Sequence, residues 1–91
     1  MKDLHEVFKA LGEKTRYRII LELIDHKNNI CCTDLSNNLK KDLSTISRQL
    51  NILKKSNLII ITKINKTKCI KLKNQILIKE LLKTAKDITK D

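Results

Sequence analysis

The sequence predicts a mainly α chain interrupted by one small β-hairpin. Three observations carry that class. Apolar residues recur at helical intervals through the first half of the chain and again at its end, two short β-rich runs stand side by side between residues 59 and 72, and 91 residues with one Gly and no Pro suit one domain rather than two. A hydrophobic content of 41% excludes disordered and collagen-like classes. A chain this short buries only about 60–65% of the surface its unfolded form exposes, so a partner subunit would help.

Leu4, Val7, Phe8 and Leu11 place a first helix over 3–11, and Gly12 stops it. Ile19, Ile20, Leu23 and Ile24 form the apolar stripe of a second helix over 14–26, which Asn28 and Asn29 punctuate. After Ile30 and Cys31, Leu35 and Leu39 stand four apart and suit a short third helix over 32–40. Asp42 is a natural N-cap for a fourth helix over 43–56, whose core stripe is Ile46, Leu50 and Leu53 and whose end is Ser56-Asn57. Residues 59–64 and 68–72 read as strands because they are β-branched or alternating, with Asn65, Lys66 and Thr67 as the turn. A last amphipathic helix over 76–90 puts Leu77, Ile78, Leu81, Leu82, Ala85 and Ile88 on one broad face with lysines opposite. That face is wider than one small domain needs.

Several classes drop out early. The longest apolar run, 58–61, is far short of the ~20 residues that a membrane span requires. The first residues carry Asp3 and Glu6 where a signal peptide would be apolar, so the expected location is the cytoplasm, with three reduced cysteines and no disulfide framework. An enzyme is not expected, since no Gly-rich phosphate loop and no nucleophile–base spacing is present.

Charge is more informative. The net charge is +10, yet residues 1–34 balance six basic against six acidic side chains, while residues 40–73 hold ten basic side chains against Asp42 alone. Concentrated positive charge on a small domain implies a polyanionic partner, because neutralising phosphates releases condensed counterions. The element order says where that partner sits. A short helix, a tight turn and a second helix make a helix-turn-helix, and the basic hairpin behind it makes a wing. On the second of those helices, the face opposite Ile46 and Leu50 carries Ser44, Ser47, Arg48, Asn51 and Lys55, flanked by Thr45 and Gln49. Hydroxyls, amides and a guanidinium are the groups that read base edges and phosphates in a duplex groove. Lys63, Lys66 and Lys68 on the hairpin would reach the flanking phosphates or minor groove.

These residues also carry a resemblance. The segment 11–20, LGEKTRYRII, is similar to the "LGDPTRLRIL" opening of the arsenical-resistance-repressor (ArsR/SmtB) winged-helix regulators. The segment 31–35, CCTDL, resembles that family's "CVCDL", 44–53, STISRQLNIL, its "STVSRHLKVL" recognition helix, and 57–59, NLI, its "GLV" exit. The resemblance implies a homodimer built through the first and last helices that binds a twofold operator on double-stranded DNA and represses transcription until an inducer arrives. It does not carry the family's metal sites. Thr33 stands where the second motif cysteine would be, and residues 76–91 lack the His that the terminal-helix zinc site needs.

The cysteines suggest a site of their own. Cys31 falls at the N-cap of the third helix, where the helix dipole favours thiolate for Cys31 and Cys32. If the extended piece at Ile30 pairs with the last strand, and Ile30, Ile70 and Leu72 face the core, Cys69 comes alongside Cys31 on the outer face. Three thiols converging there would take a soft metal, a metalloid or an oxidant; otherwise each cysteine is a small core-filling side chain. The alternative for the whole chain is a winged-helix module that binds nucleic acid without sequence preference or serves protein contacts, with no inducer.

Overall fold

A computed structural model describes residues 4–26 and 30–90. Asp3, Lys27, Asn28 and Asn29, which entered the expected first helix and the stop after the second, lie outside the described residues. The elements are α1 (Leu4–Leu11), α2 (Lys14–Asp25), β1 (Ile30–Cys31), α3 (Cys32–Leu39), α4 (Leu43–Lys55), β2 (Ile59–Ile64), β3 (Thr67–Leu72) and α5 (Gln75–Ile88). Helices and strands therefore follow the order that apolar spacing predicts, with boundaries within two residues.

The helix ends have local chemical causes. The Gly12 N–H closes α1 on the Phe8 carbonyl at 2.9 Å, and a Cβ at Gly12 would stand 3.1 Å from that oxygen, so a larger residue would require the helix end to give by a few tenths of an ångström. Glu13 caps α2 by accepting from the Arg16 amide at 2.9 Å. Asp42 caps α4 by accepting from the Thr45 amide at 3.3 Å. Asn74 does the same for α5, accepting from the Leu77 amide at 3.2 Å, and so starts that helix one residue earlier than expected.

The three strands form one antiparallel sheet in the order β1-β3-β2. Ile64 pairs with Thr67, leaving Asn65 and Lys66 as the whole turn, and both have positive φ, 50° and 68°. Two successive left-handed residues make a type I′ hairpin, whose twist matches that of its strands. β3 thus begins at Thr67, one residue before the expected start, because this turn needs two residues and not three.

Ile19, Ile20 and Leu23 of α2, Leu35 and Leu39 of α3, and Ile46, Leu50 and Leu53 of α4 meet Ile30, Ile59, Ile70 and Leu72 of the sheet in a single buried cluster. Fully burying a side chain of this size stabilises the fold by about 1.5–3 kcal/mol. α5 stands partly apart. Ile78 is its one buried side chain, whereas Ile76 is 75% and Leu77 60% exposed. On α1, Leu4 and Phe8 are likewise exposed. The Cα radius of gyration, 13.0 Å, slightly exceeds the ~12 Å of a compact chain of this length, in keeping with that projecting helix.

Candidate nucleic-acid interface

The turn between α3 and α4 sets the direction of α4. Lys40 adopts φ 55°, ψ 46°, the left-handed C-cap that closes α3. The Ser36 carbonyl receives the Lys41 N–H at 3.1 Å, and the Ser36 hydroxyl donates to the Lys41 carbonyl. Asp42 follows with extended backbone and starts α4. Its carboxyl lies below its usual range because the Thr45 hydroxyl, then the Ser44 hydroxyl and the Thr45 amide, donate to it. The Ser44 Oγ–Asp42 Oδ2 distance is 3.2 Å. The Ser44 hydroxyl is therefore used as a donor and keeps lone pairs for an incoming amino group.

Along α4, Ile46, Leu50 and Leu53 are buried, and Ser44, Arg48, Asn51 and Lys55 are exposed on the other side. Ser47 and Thr45 are half-buried. The wing meets this helix at its N-terminal end. Cys32, Thr33, Leu43, Ser47, Lys63, Lys66, Thr67 and Lys68 line one groove of about 390 Å³, so the hairpin lysines and the N-terminal end of α4 share a concavity. Leu43, 48% exposed at the mouth of that groove, was not singled out by sequence; its position in the first helical turn was the available signal.

Two features of the wing cost stability. Lys63 stands directly across from Lys68 in the β2–β3 register, a like-charge pair, and Lys66 occupies a left-handed position where Gly is usual. Among the described residues, no ion pair within 4 Å involves any residue from 40 to 73.

Gln49 is placed differently from its neighbours. Half-buried, it turns its Oε1 to Arg16 Nη1 at 2.6 Å, while Arg16 Nε donates to the Ala10 carbonyl at 2.7 Å. The helical wheel alone puts Gln49 at the flank of the outward face and gives Arg16 no role at the interface, since nothing local joins residues 33 positions apart.

Residues 13–60 match the family model described as "Bacterial regulatory protein, arsR family". The chain belongs to the ArsR family. ArsR-family chains are DNA-binding transcriptional regulators, and this one is 43% identical over 54 residues to an uncharacterized HTH-type transcriptional regulator of Methanocaldococcus jannaschii, a match covering 59% of this chain and 60% of that protein. The chain thus spans about 60% of the length of that curated relative. Among solved structures, HlyU from Vibrio cholerae matches with a TM-score of 0.75 at 24% identity, over 87% of each chain. The homodimeric winged helix-turn-helix DNA-binding domain Mb0332 from Mycobacterium bovis matches with a TM-score of 0.80 at 19% identity, over 92% of this chain and 78% of that one. At those identities the likeness shows a shared winged helix-turn-helix fold.

For this ArsR-family chain the cysteines form a pair and not a trio. Cys31 faces Cys69 directly across the β1–β3 ladder, but Cys69 is buried and Cys31 half-buried, so the pair does not lie on the open outer face that strand alternation predicts. Cys32 leaves the strand as the first residue of α3 and packs, half-buried, against the core. Among the described residues, no group of three or more His, Cys, Asp or Glu side chains is gathered to hold a metal ion. The expected three-thiol convergence is therefore corrected to a dithiol, and the donor set does not fit a three-coordinate metalloid or soft metal. Thiolate character is corrected too. Burial, then the Cys69 thiol, then Asp34 and the Cys32 thiol push the Cys31 thiol above its ordinary range, the opposite direction to the one expected of a helix N-cap. Directly opposed β residues lie about 4.5–5.5 Å apart at Cα, within disulfide reach.

Among the described residues, no helix is long and apolar enough to cross a membrane. His26 receives a local explanation, lying against the Glu22 carbonyl and carboxylate at the end of α2.

Proposed function

We propose that the protein is a sequence-specific transcriptional repressor, acting in the cytoplasm as a homodimer through α1 and α5 on a twofold operator in double-stranded DNA. The observation that carries this reading is the shared groove, with Ser47 of α4 on one wall and Lys63, Lys66 and Lys68 of the wing on the other. In that arrangement Ser44, Ser47, Arg48 and Asn51 enter the major groove; Lys55 and the wing lysines hold the phosphates. Arg48 suits guanine and Asn51 adenine, while Thr45 supports the helix start from the flank. The uncovered Leu4, Phe8, Ile76 and Leu77 supply the apolar area that a second copy would bury.

The effector class that the dithiol suits is an oxidant. Hydrogen peroxide would take two electrons and two protons from Cys31 and Cys69, leaving one Sγ–Sγ bond and two molecules of water. The raised Cys31 thiol makes that reaction slow at neutral pH and faster as pH rises. Cys32 takes no part.

Selection of bound duplexes from a random pool tests the DNA reading. It should return a palindromic consensus with half-sites about 10 bp apart, and Arg48→Ala should erase the preference at one base position per half-site. A featureless pool with retained binding would support the alternative, a winged-helix module that grips nucleic acid without reading it.

A further inference from the structure

The guanidinium of Arg16 joins three parts of the fold. Nε donates to the Ala10 carbonyl at 2.7 Å, and Nη2 donates at 3.3 Å to the Lys9 carbonyl, which also accepts the Gly12 N–H at 3.3 Å, so the end of α1 is closed by a cation, the charge that a helix C-terminus favours. Nη1 donates to Gln49 Oε1 on α4 at 2.6 Å. The side chain is only 12% exposed, and Glu13 Oε2 lies 4.0 Å from Nη1. A second link runs parallel, from the buried Ser56 hydroxyl at the end of α4 to the Glu6 carbonyl of α1 at 3.5 Å.

Guanidinium nitrogens are all donors, so the contact fixes which way the Gln49 amide points: its oxygen must face Arg16. The helical wheel agrees that this side chain faces away from a groove. At about 100° per residue, Gln49 lies roughly 160° round α4 from Asn51 and 100° from Arg48. α1, whose carbonyls share the same guanidinium, carries Leu4 and Phe8 uncovered on its other side.

We infer that Arg16 is a positioning residue, which locks α4 to α1 through Gln49, and that Gln49 acts through Arg16 and does not read a base. The inference rests on the homodimeric DNA-binding reading above. Its consequence is geometric: α1 belongs to the proposed subunit contact and α4 to the reading surface, so this clamp sets the angle and separation at which two reading helices are presented. Half-site spacing is where a dimer registers that setting.

The test uses the full chain and the duplex selected from the random pool, together with versions in which the half-sites are one base pair closer or further apart. The wild type should discriminate against both altered spacings. Arg16→Ala and Gln49→Leu should each flatten the spacing preference and weaken binding to the selected duplex, by at most about a hundredfold, the ceiling set by a charge-assisted hydrogen bond. The double variant should be little worse than Arg16→Ala alone, because the contact that Gln49→Leu removes is already lost there. Gln49→Glu, which still offers Arg16 an acceptor, should retain the spacing preference. Arg48→Ala should keep that preference while losing base identity.

Should Gln49→Leu keep the spacing preference and lose one base of the consensus, Gln49 reads that base and the inference is overturned. Unchanged spacing and affinity in Arg16→Ala would overturn it equally. If Arg16→Ala gives no cooperative melt, the two Gln49 variants decide alone. A wild type that does not prefer the selected duplex over random DNA overturns the regulator reading first, and the clamp falls with it.

Discussion

Lys66→Gly should move stability and DNA affinity in opposite directions. Lys66 holds φ 68° in a turn whose first residue, Asn65, is also left-handed at 50°. A non-glycine side chain there costs about 1–2 kcal/mol, from which the greater freedom of Gly in the unfolded chain subtracts about 0.4–1 kcal/mol. The net gain on substitution is about 0.5–1 kcal/mol, or about 2–8 °C in the melting midpoint of a domain this size. The same change removes one cation from the wing. Each phosphate contact contributes about 0.9 to the slope of log K against log salt, which is about eightfold in affinity near 0.1 M salt and about sixtyfold for both wings of a dimer. Thermal melts read the first quantity, and fluorescence anisotropy of a labelled duplex over a salt series reads the second. A variant that melts lower refutes the strain argument. One whose affinity and salt slope equal those of the wild type refutes the placing of the wing on phosphate.

Other outcomes follow from single observations. Phe8→Glu combined with Leu77→Glu should give a monomer by sedimentation while leaving helical circular dichroism intact; an unchanged dimer would move the subunit contact off α1 and α5. Asp42 has its carboxyl held low in the folded chain, so its contribution is present above its ordinary value near 3.8 and is lost as pH falls through the lower folded value. The melting difference between wild type and Asp42→Ala should therefore shrink as the solution is acidified below that range, and a constant difference would contradict the capping argument. Peroxide should remove two free thiols per chain in the wild type and leave Cys31→Ser without an internal disulfide. Loss of Cys32 into a disulfide in the wild type would contradict the pairing across β1 and β3.

What sequence could reveal here depended on the range of the interaction. Ile46, Leu50 and Leu53 announce α4 because the helical period is a property of neighbouring residues, and Asp42 announces its start because a cap reaches only three residues ahead. The opposition of Cys31 and Cys69 was legible for a similar reason. Once Ile30 and Ile70 face the core, pleat alternation leaves their neighbours facing each other. Cys32 escaped the same logic because the chain turns from strand to helix at that residue, and the strand face ends with it. The handedness of the wing turn was hidden, since neither Asn65 nor Lys66 is the glycine that would signal it. The Arg16–Gln49 contact was hidden most deeply, as it exists only after α1, α2 and α4 have packed.

The most direct measurement compares affinity for the selected duplex with affinity for a scrambled duplex of the same length, at one fixed salt concentration. The groove between α4 and the wing predicts saturable binding of both, with the selected duplex at least about a thousandfold tighter and both falling steeply as salt rises. Equal affinity for the two duplexes, or binding indifferent to salt, would contradict it.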